Sequence, residues 1–248
     1  MQRFKNKIVV ITGAGSGIGR STALRLDSEG ADLLMIDKNQ GDLDETKKML
    51  KNKNSSAHVV DISSITSTKN FFKDLEKNYK RLDVLINIAG ILRFDNSHEV
   101  ELENWNQILD INLTGTFFMC RHALPLLLKS KGAIVNVSST AALGAHAWTA
   151  AYSASKGGIS AFSKTLAVEY GMKGLNINCV CPASIETPMS SNPVMPKDID
   201  TRLLKKIMPL DGVNRSPDDI ASTIAFLASD DAIHINGIDL RVDGGLLT

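Results

Sequence analysis

Short apolar runs at 8–11, 33–36, 58–60, 84–88, 133–137 and 176–180 alternate with longer stretches whose apolar residues recur at helical spacing. Several runs are apolar almost throughout rather than in alternation, the pattern of strands covered on both faces by helices in a parallel sheet. Helical spacing occupies 17–29, 42–51, 65–79, 105–129 and 151–170, with Gly30 and Gly171 where a C-terminal cap belongs. Pro125 is expected to kink or shorten the fourth of these helices. Farther on, Ser216-Pro217-Asp218-Asp219 combines a capping hydroxyl, proline at the first helical position and acids in the first turn, and predicts a helix to 229. A last strand is expected over 237–242. Strands and helices in this succession predict the α/β class: a doubly wound parallel sheet in three layers, as a single domain over 1–248.

The least regular stretch contains Pro182, Pro188, Pro193 and Pro196. A loop this long inside a compact domain is usually functional, and 182–210 is expected to act as a substrate loop or lid. No linker, repeat or low-complexity tract divides the 248 residues. With 28 basic against 27 acidic side chains, the net charge of +1 provides no field for nucleic acid or an anionic membrane, and neither partner is expected. Three cysteines are too few for a disulfide framework, and Cys179 and Cys181 are expected on opposite faces of one strand. No apolar run approaches the roughly 20 residues of a membrane span, so a soluble cytoplasmic protein is expected.

Directly after the first strand, Thr12-Gly13-Ala14-Gly15-Ser16-Gly17-Ile18-Gly19 opens a helix. Glycines let the backbone approach a ligand closely, and a helix N-terminus offers free N–H groups and positive dipole to a pyrophosphate. The spacing is G-x-x-x-G-x-G rather than the commoner G-x-G-x-x-G. Eighteen residues after Gly19, Asp37 ends the second strand, close to where an acid binds the adenosine ribose of a dinucleotide. A carboxylate there accepts from ribose hydroxyls and repels a 2′-phosphate, so NAD is expected over NADP. Lys38 softens that choice, whereas Ser16 offers no positive charge to a phosphate.

Tyr152 and Lys156 stand four apart at the start of a predicted helix, which sets phenol and ammonium on one face. A phenol of pKa about 10 needs a nearby cation to exchange protons near neutrality, and an ammonium about 4 Å away supplies roughly the required energy. By itself a Tyr-x-x-x-Lys pair is common by chance.

It does not stand by itself. The glycine turn, Asp61 after the third strand, Asn87-Ile88-Ala89-Gly90 after the fourth, Asn112 in a helix, Ser138-Ser139 after the fifth, then Tyr152 and Lys156, resemble in order a classical short-chain dehydrogenase/reductase across nearly the whole chain. The resemblance implies a Rossmann-type domain that interconverts a secondary alcohol and a ketone with NAD. It implies Tyr152 as general acid/base, Lys156 lowering its pKa and bonding the nicotinamide ribose, and Ser139 polarising the carbonyl. Strand alternation says only that either Ser138 or Ser139 faces the cleft; the family's spacing of thirteen residues before Tyr152 favours Ser139. Asn112 would hold a water linking Lys156 to solvent.

For the cofactor, the resemblance implies Gly13, Ser16, Gly17, Ile18 and Gly19 at the pyrophosphate and Asp61 and Ile62 at the adenine. Asn87, Ala89 and Gly90 would support the adenosine side and the central sheet, and Pro182, Ile185 and Thr187 would hold the nicotinamide carboxamide. Ile88 and Ala183 depart from the family pattern, which has Asn and Gly there.

No metal site is expected, because His98-Glu99 lacks a second histidine and no other cluster has ligand spacing. Lys47, Lys48, Lys51 and Lys53 read as a solvated helix end. His146 and Trp148 either line the pocket or pack its loop, and Leu143, Met189 and Met195 would make it apolar. A 3-oxoacyl thioester reductase and a non-catalytic dinucleotide-binding scaffold are the alternative functions. Family resemblance implies a homotetramer built through the 105–129 and 151–170 helices and the last strand.

Overall fold

The computed structural model describes residues 2–191 and 193–248; Met1, in the N-terminal segment, and Asn192, in the expected lid, lie outside the described residues. The chain runs β1 (Ile8–Thr12), α1 (Gly17–Ser28), β2 (Asp32–Asp37), α2 (Gln40–Met49), β3 (Ser56–Val59) and α3 (Ile65–Tyr79). It then crosses to the other side of β1 and continues through β4 (Val84–Asn87), α4 (Leu102–Ile108), α5 (Gly115–Ser130), β5 (Ala133–Val137) and α6 (Ala150–Gly171). Next come β6 (Asn176–Pro182), α7 (Pro188–Ser191), α8 (Pro217–Leu227) and β7 (Asp239–Val242). All pairings are parallel, in the order β3-β2-β1-β4-β5-β6-β7, which is the doubly wound single domain that the pattern predicts. Strand order reverses between β1 and β4, and at such a switch point a crevice opens beyond the carboxyl ends of the strands.

Alternate residues of each strand feed separate cores. Val9, Ile11, Leu33 and Met35 pack with Leu26 of α1 and Ile224 of α8, while Val10, Leu34, Leu85 and Ile134 pack with Phe72 of α3 and Leu127 of α5. Burial on both faces is why these strands show no polar alternation.

Several local expectations are corrected. The predicted 105–129 helix is interrupted, but not at Pro125: α4 and α5 are joined by a π-helical turn at Leu109–Thr114, whereas Pro125 sits inside α5. Arg121, whose carbonyl loses its amide partner to that proline, is exposed with it, so water can replace the bond. Gly30 caps α1 at φ +93°, as expected, but Gly171 ends α6 without leaving right-handed space, and the left-handed position falls to Gly174 at φ +91°. Cys179 and Cys181, two apart, share a face of β6 and pack on Ile159, because residues on one strand face repeat with period two. All three cysteines are free. Ser216 caps α8 by accepting from the Asp218 amide at 3.2 Å, with Pro217 first in the helix.

The proline-rich loop is less irregular than its sequence suggests. It contains α7 and a 3₁₀ helix at Thr201–Ile207, and Ile185 bridges to Arg215. No helix among the described residues is long and apolar enough to cross a membrane.

Candidate active site

The crevice is a cavity of about 580 Å³, within the usual range for small-molecule sites. Its floor is the turn between β1 and α1. Gly13 adopts φ +70°, and a Cβ there would stand 2.9 Å from the Ala89 amide nitrogen; a Cβ on Gly19 would stand 1.8 Å from the Gly13 carbonyl oxygen. Only glycine permits both the backbone conformation and the approach. Ser16 holds the cap position of α1 without spending its side chain on a capping bond. A narrow glycine cradle at a helix N-terminus, with a hydroxyl to spare, fits the pyrophosphate of a dinucleotide.

Asp37, at the end of β2, is fastened to this turn. Its Oδ2 accepts from the Gly15 amide at 3.0 Å and its Oδ1 from the Asn39 amide at 3.1 Å. Asp37, Lys38, Asp61 and Ile62 line the same end of the cavity, as do Ser16, Gly17, Ile18 and Gly19. Ala89, Gly90, Pro182, Ile185 and Thr187 line it farther along.

Two predicted site residues stand behind the wall rather than in it. Asn87 is buried under the sheet end, donating to Asn136 at 2.8 Å. Asn112, fully buried in the π turn, accepts from the Ile91 amide at 2.8 Å and donates to the Ile91 carbonyl at 2.9 Å and to Ser155 at 3.1 Å. Every polar atom of its amide is thereby engaged in holding the chain after Gly90 against α6. The π turn itself falls at a functional position, as such turns often do.

The paired serines both line the cavity but differ in their partners. Ser138 faces α6, bonded to the Lys156 carbonyl at 2.9 Å and 3.0 Å from the Ser160 hydroxyl. Ser139 stands beside Tyr152 and accepts from the Ala141 amide at 3.1 Å. Lys156 is 4% exposed, and its Nζ donates to the Val137 carbonyl at 2.7 Å while lying 5.7 Å from the Tyr152 ring centre. Burial lowers the amine to about 8 and raises the phenol, against which the Ser139 hydroxyl pulls down. The same burial penalises both charged forms, and the phenol stands above its ordinary value with the ammonium on the same helical face.

Beyond Tyr152 the wall turns apolar. Ile91, Leu92, Phe94, Met189, Ile207 and Met208 line it, and His146 is its principal polar ring. Of the residues weighed for this wall, Met189 and His146 belong to it, whereas Leu143, Trp148 and Met195 do not. Leu92, Phe94 and Met208 escaped the sequence reading because they sit on irregular segments with no periodicity, and Ile207 because it ends a short 3₁₀ helix.

A glycine cradle at the first strand-to-helix turn, an acid at the end of β2, and Ser, Tyr and Lys at the junction of β5 and α6 define a Rossmann-type oxidoreductase site. The profile described as enoyl-(acyl carrier protein) reductase matches residues 13–247, and the chain belongs to the short-chain dehydrogenase/reductase family, whose members work with NAD or NADP. It is 35% identical over 243 residues to a meso-2,3-butanediol dehydrogenase of Serratia marcescens, covering 98% of this chain and 95% of that one. It is also 35% identical over 270 residues to a 3beta-hydroxysteroid dehydrogenase of Mediterraneibacter gnavus, covering 100% and 97%. Among solved structures, a carveol dehydrogenase from Mycobacterium avium in complex with NAD superposes with a TM-score of 0.90 at 28% identity, over 100% of this chain and 99% of that one.

Proposed function

We propose that this oxidoreductase interconverts a secondary alcohol and a ketone with NAD, with Tyr152 as the group that exchanges a proton with the substrate oxygen. The observation that carries the reading is the convergence of Ser139, Tyr152 and Lys156 on one cavity with the glycine cradle. When bound, NAD accepts the hydride from the alcohol carbon, so that alcohol and NAD⁺ give ketone, NADH and a proton. Ser139 orients the substrate oxygen. Tyr152 takes the alcohol proton during oxidation and returns it during reduction. Lys156 supplies the buried charge beside the phenol and a donor to the nicotinamide ribose. Asn112 holds the Gly90–Ile91 turn against α6, its side-chain amide spent on Ile91 and Ser155 rather than on a water.

Asp37 supports NAD over NADP, because its anchored carboxylate meets a 2′-phosphate with like charge. The NAD carried by the carveol dehydrogenase structure agrees, and the butanediol and hydroxysteroid dehydrogenases support alcohol substrates. Residues 182–210 form the lid, with Met189, Ile207 and Met208 as its apolar underside. Exposed Phe117 on α5, Val168 on α6 and Met172 just past its end support a homotetramer assembled through these helices and the last strand. A cytoplasmic location completes the reading.

The profile's description favours one alternative, reduction of an acyl-carrier-protein thioester. Asp37 weighs against it, since such reductases commonly use NADP. A non-catalytic scaffold leaves the assembled serine, tyrosine and lysine without a role. The test is titration of NADH and NADPH into the purified protein, followed by a panel of alcohols, ketones and acyl thioesters monitored by NADH absorbance. Tight NADH binding with turnover of an alcohol or ketone is expected. Turnover of thioesters alone with NADPH selects the alternative, and cofactor binding without turnover selects the scaffold.

A further inference from the structure

The part of the cavity beyond Tyr152 has few uncommitted polar groups among the described residues, the Ser184 hydroxyl and the His146 ring. Thr149 spends its hydroxyl on the His146 carbonyl at 2.9 Å, and Ser190 spends its own on the Ile185 carbonyl at 2.6 Å. Thr140 Oγ1 lies 3.2 Å from the Pro182 carbonyl and 3.3 Å from His146 Nε2. A carbonyl only accepts, so both contacts are satisfied together when the single hydroxyl proton of Thr140 goes to Pro182 and a protonated Nε2 donates to Thr140. The other ring nitrogen, Nδ1, is then a bare acceptor, and no donor among the described residues reaches it. Burial holds this imidazole below its ordinary range, which keeps the ring neutral near pH 7.

Charge is distributed unevenly along the same wall. Asp37, Lys38, Asp42 and Asp61 belong to the β2 and β3 side, at least three strands from β5, or about 14 Å at roughly 4.8 Å per strand. Lys156, the cation nearest the substrate, is tied to the Val137 carbonyl. Among the described lining residues no cation other than Lys156 stands at this end to neutralise a carboxylate or a phosphate, whereas a neutral acceptor awaits a hydroxyl. Thr140 directly follows Ser139, so the ring is anchored one residue from the hydroxyl assigned to the carbonyl.

Building on the oxidoreductase reading above, we propose that His146 determines specificity by accepting a hydrogen bond at Nδ1 from a second hydroxyl of the substrate. The substrate class is an uncharged hydroxy-ketone and the diol formed from it, with an apolar remainder against Phe94, Met189 and Met208.

The test compares cyclohexanone with its derivatives hydroxylated on the first or second carbon from the carbonyl, using NADH and the full chain. One derivative should exceed the parent ketone in kcat/KM by about tenfold, the scale of one good hydrogen bond. In His146→Leu that ratio should fall to near one, and in His146→Asn, whose amide oxygen still accepts, it should survive in part. Nitrogen NMR of the His146 ring, recorded without substrate, should show the proton on Nε2. A ratio near one in the wild type, a ratio unchanged in His146→Leu but lost in Ser184→Ala, or a proton on Nδ1 overturns the proposal. Failure of every ketone to turn over in the presence of bound NADH overturns the oxidoreductase reading instead, and the ring tautomer still decides the geometry assigned to His146.

Discussion

Lys156 and Val137 are joined across the junction of α6 and β5 by a 2.7 Å bond from ammonium to backbone carbonyl, which fixes a buried cation of the site at the carboxyl end of the central sheet. One strand and one helix thus set the position of the charge that Tyr152 meets.

That burial predicts a pH dependence of stability. The amine titrates at about 8 in the folded chain and at about 10.4 in the unfolded chain, so the unfolded state binds more protons between these values. The penalty is full below pH 8 and is relieved as pH rises through this window, by about 3 kcal/mol. Urea unfolding of wild type and Lys156→Met at pH 7 and pH 10.5 measures it. The wild type should gain stability relative to the variant; an equal change in both contradicts a depressed Lys156.

Tyr152→Phe preserves the ring and removes the hydroxyl that stands beside Ser139. Turnover should fall at least 10²-fold, the lower range of general acid–base assistance, with NADH affinity changed little. Turnover close to wild type would assign the proton transfer to another group.

Asp37 should make NADH bind at least about tenfold tighter than NADPH, a difference of about 1.4 kcal/mol. Asp37→Ala should narrow that gap and also weaken NADH, because the carboxylate that organises the Gly15 amide is gone. Calorimetric titration of both cofactors checks it, and a gap unchanged in the variant refutes the assignment.

Two glycines should respond in opposite directions. A methyl on Gly19 meets the Gly13 carbonyl oxygen at 1.8 Å, so Gly19→Ala should distort the cradle and weaken NADH binding at least about tenfold. A methyl on Gly157 in α6 meets nothing within 4 Å, and Gly157→Ala should stabilise the chain by about 0.5–1 kcal/mol in thermal or urea unfolding. Equal tolerance of both changes would mean that the cradle does not depend on the approach of Gly19 to Gly13.

Local pattern carried a large share of this protein. The order of strands and helices, the glycine turn opening α1, Asp37 at the end of β2 and the pairing of Tyr152 with Lys156 on one helical face are consequences of spacing along the chain, because backbone hydrogen bonding imposes periods of two and 3.6 wherever one face is buried. The surroundings of Ser138 and Ser139 were different: alternation puts the two on opposite faces, family spacing favours Ser139, and the docking of α6 on Ser138 leaves Ser139 beside Tyr152. The π turn arose in the same way, since the segment reads as continuous helix until the Asn112 side chain closes on the Ile91 backbone twenty-one residues away. His146 acquires a tautomer only through Thr140 and the Pro182 carbonyl, and the apolar wall gathers Phe94 and Met208 from loops with no period to read. Periodicity is a property of neighbours in the chain, so it specified the elements; burial and hydrogen bonding join residues far apart in it, so the orientation of Ser139, the phenol's raised pKa and the shape of the substrate wall were decided by the tertiary structure.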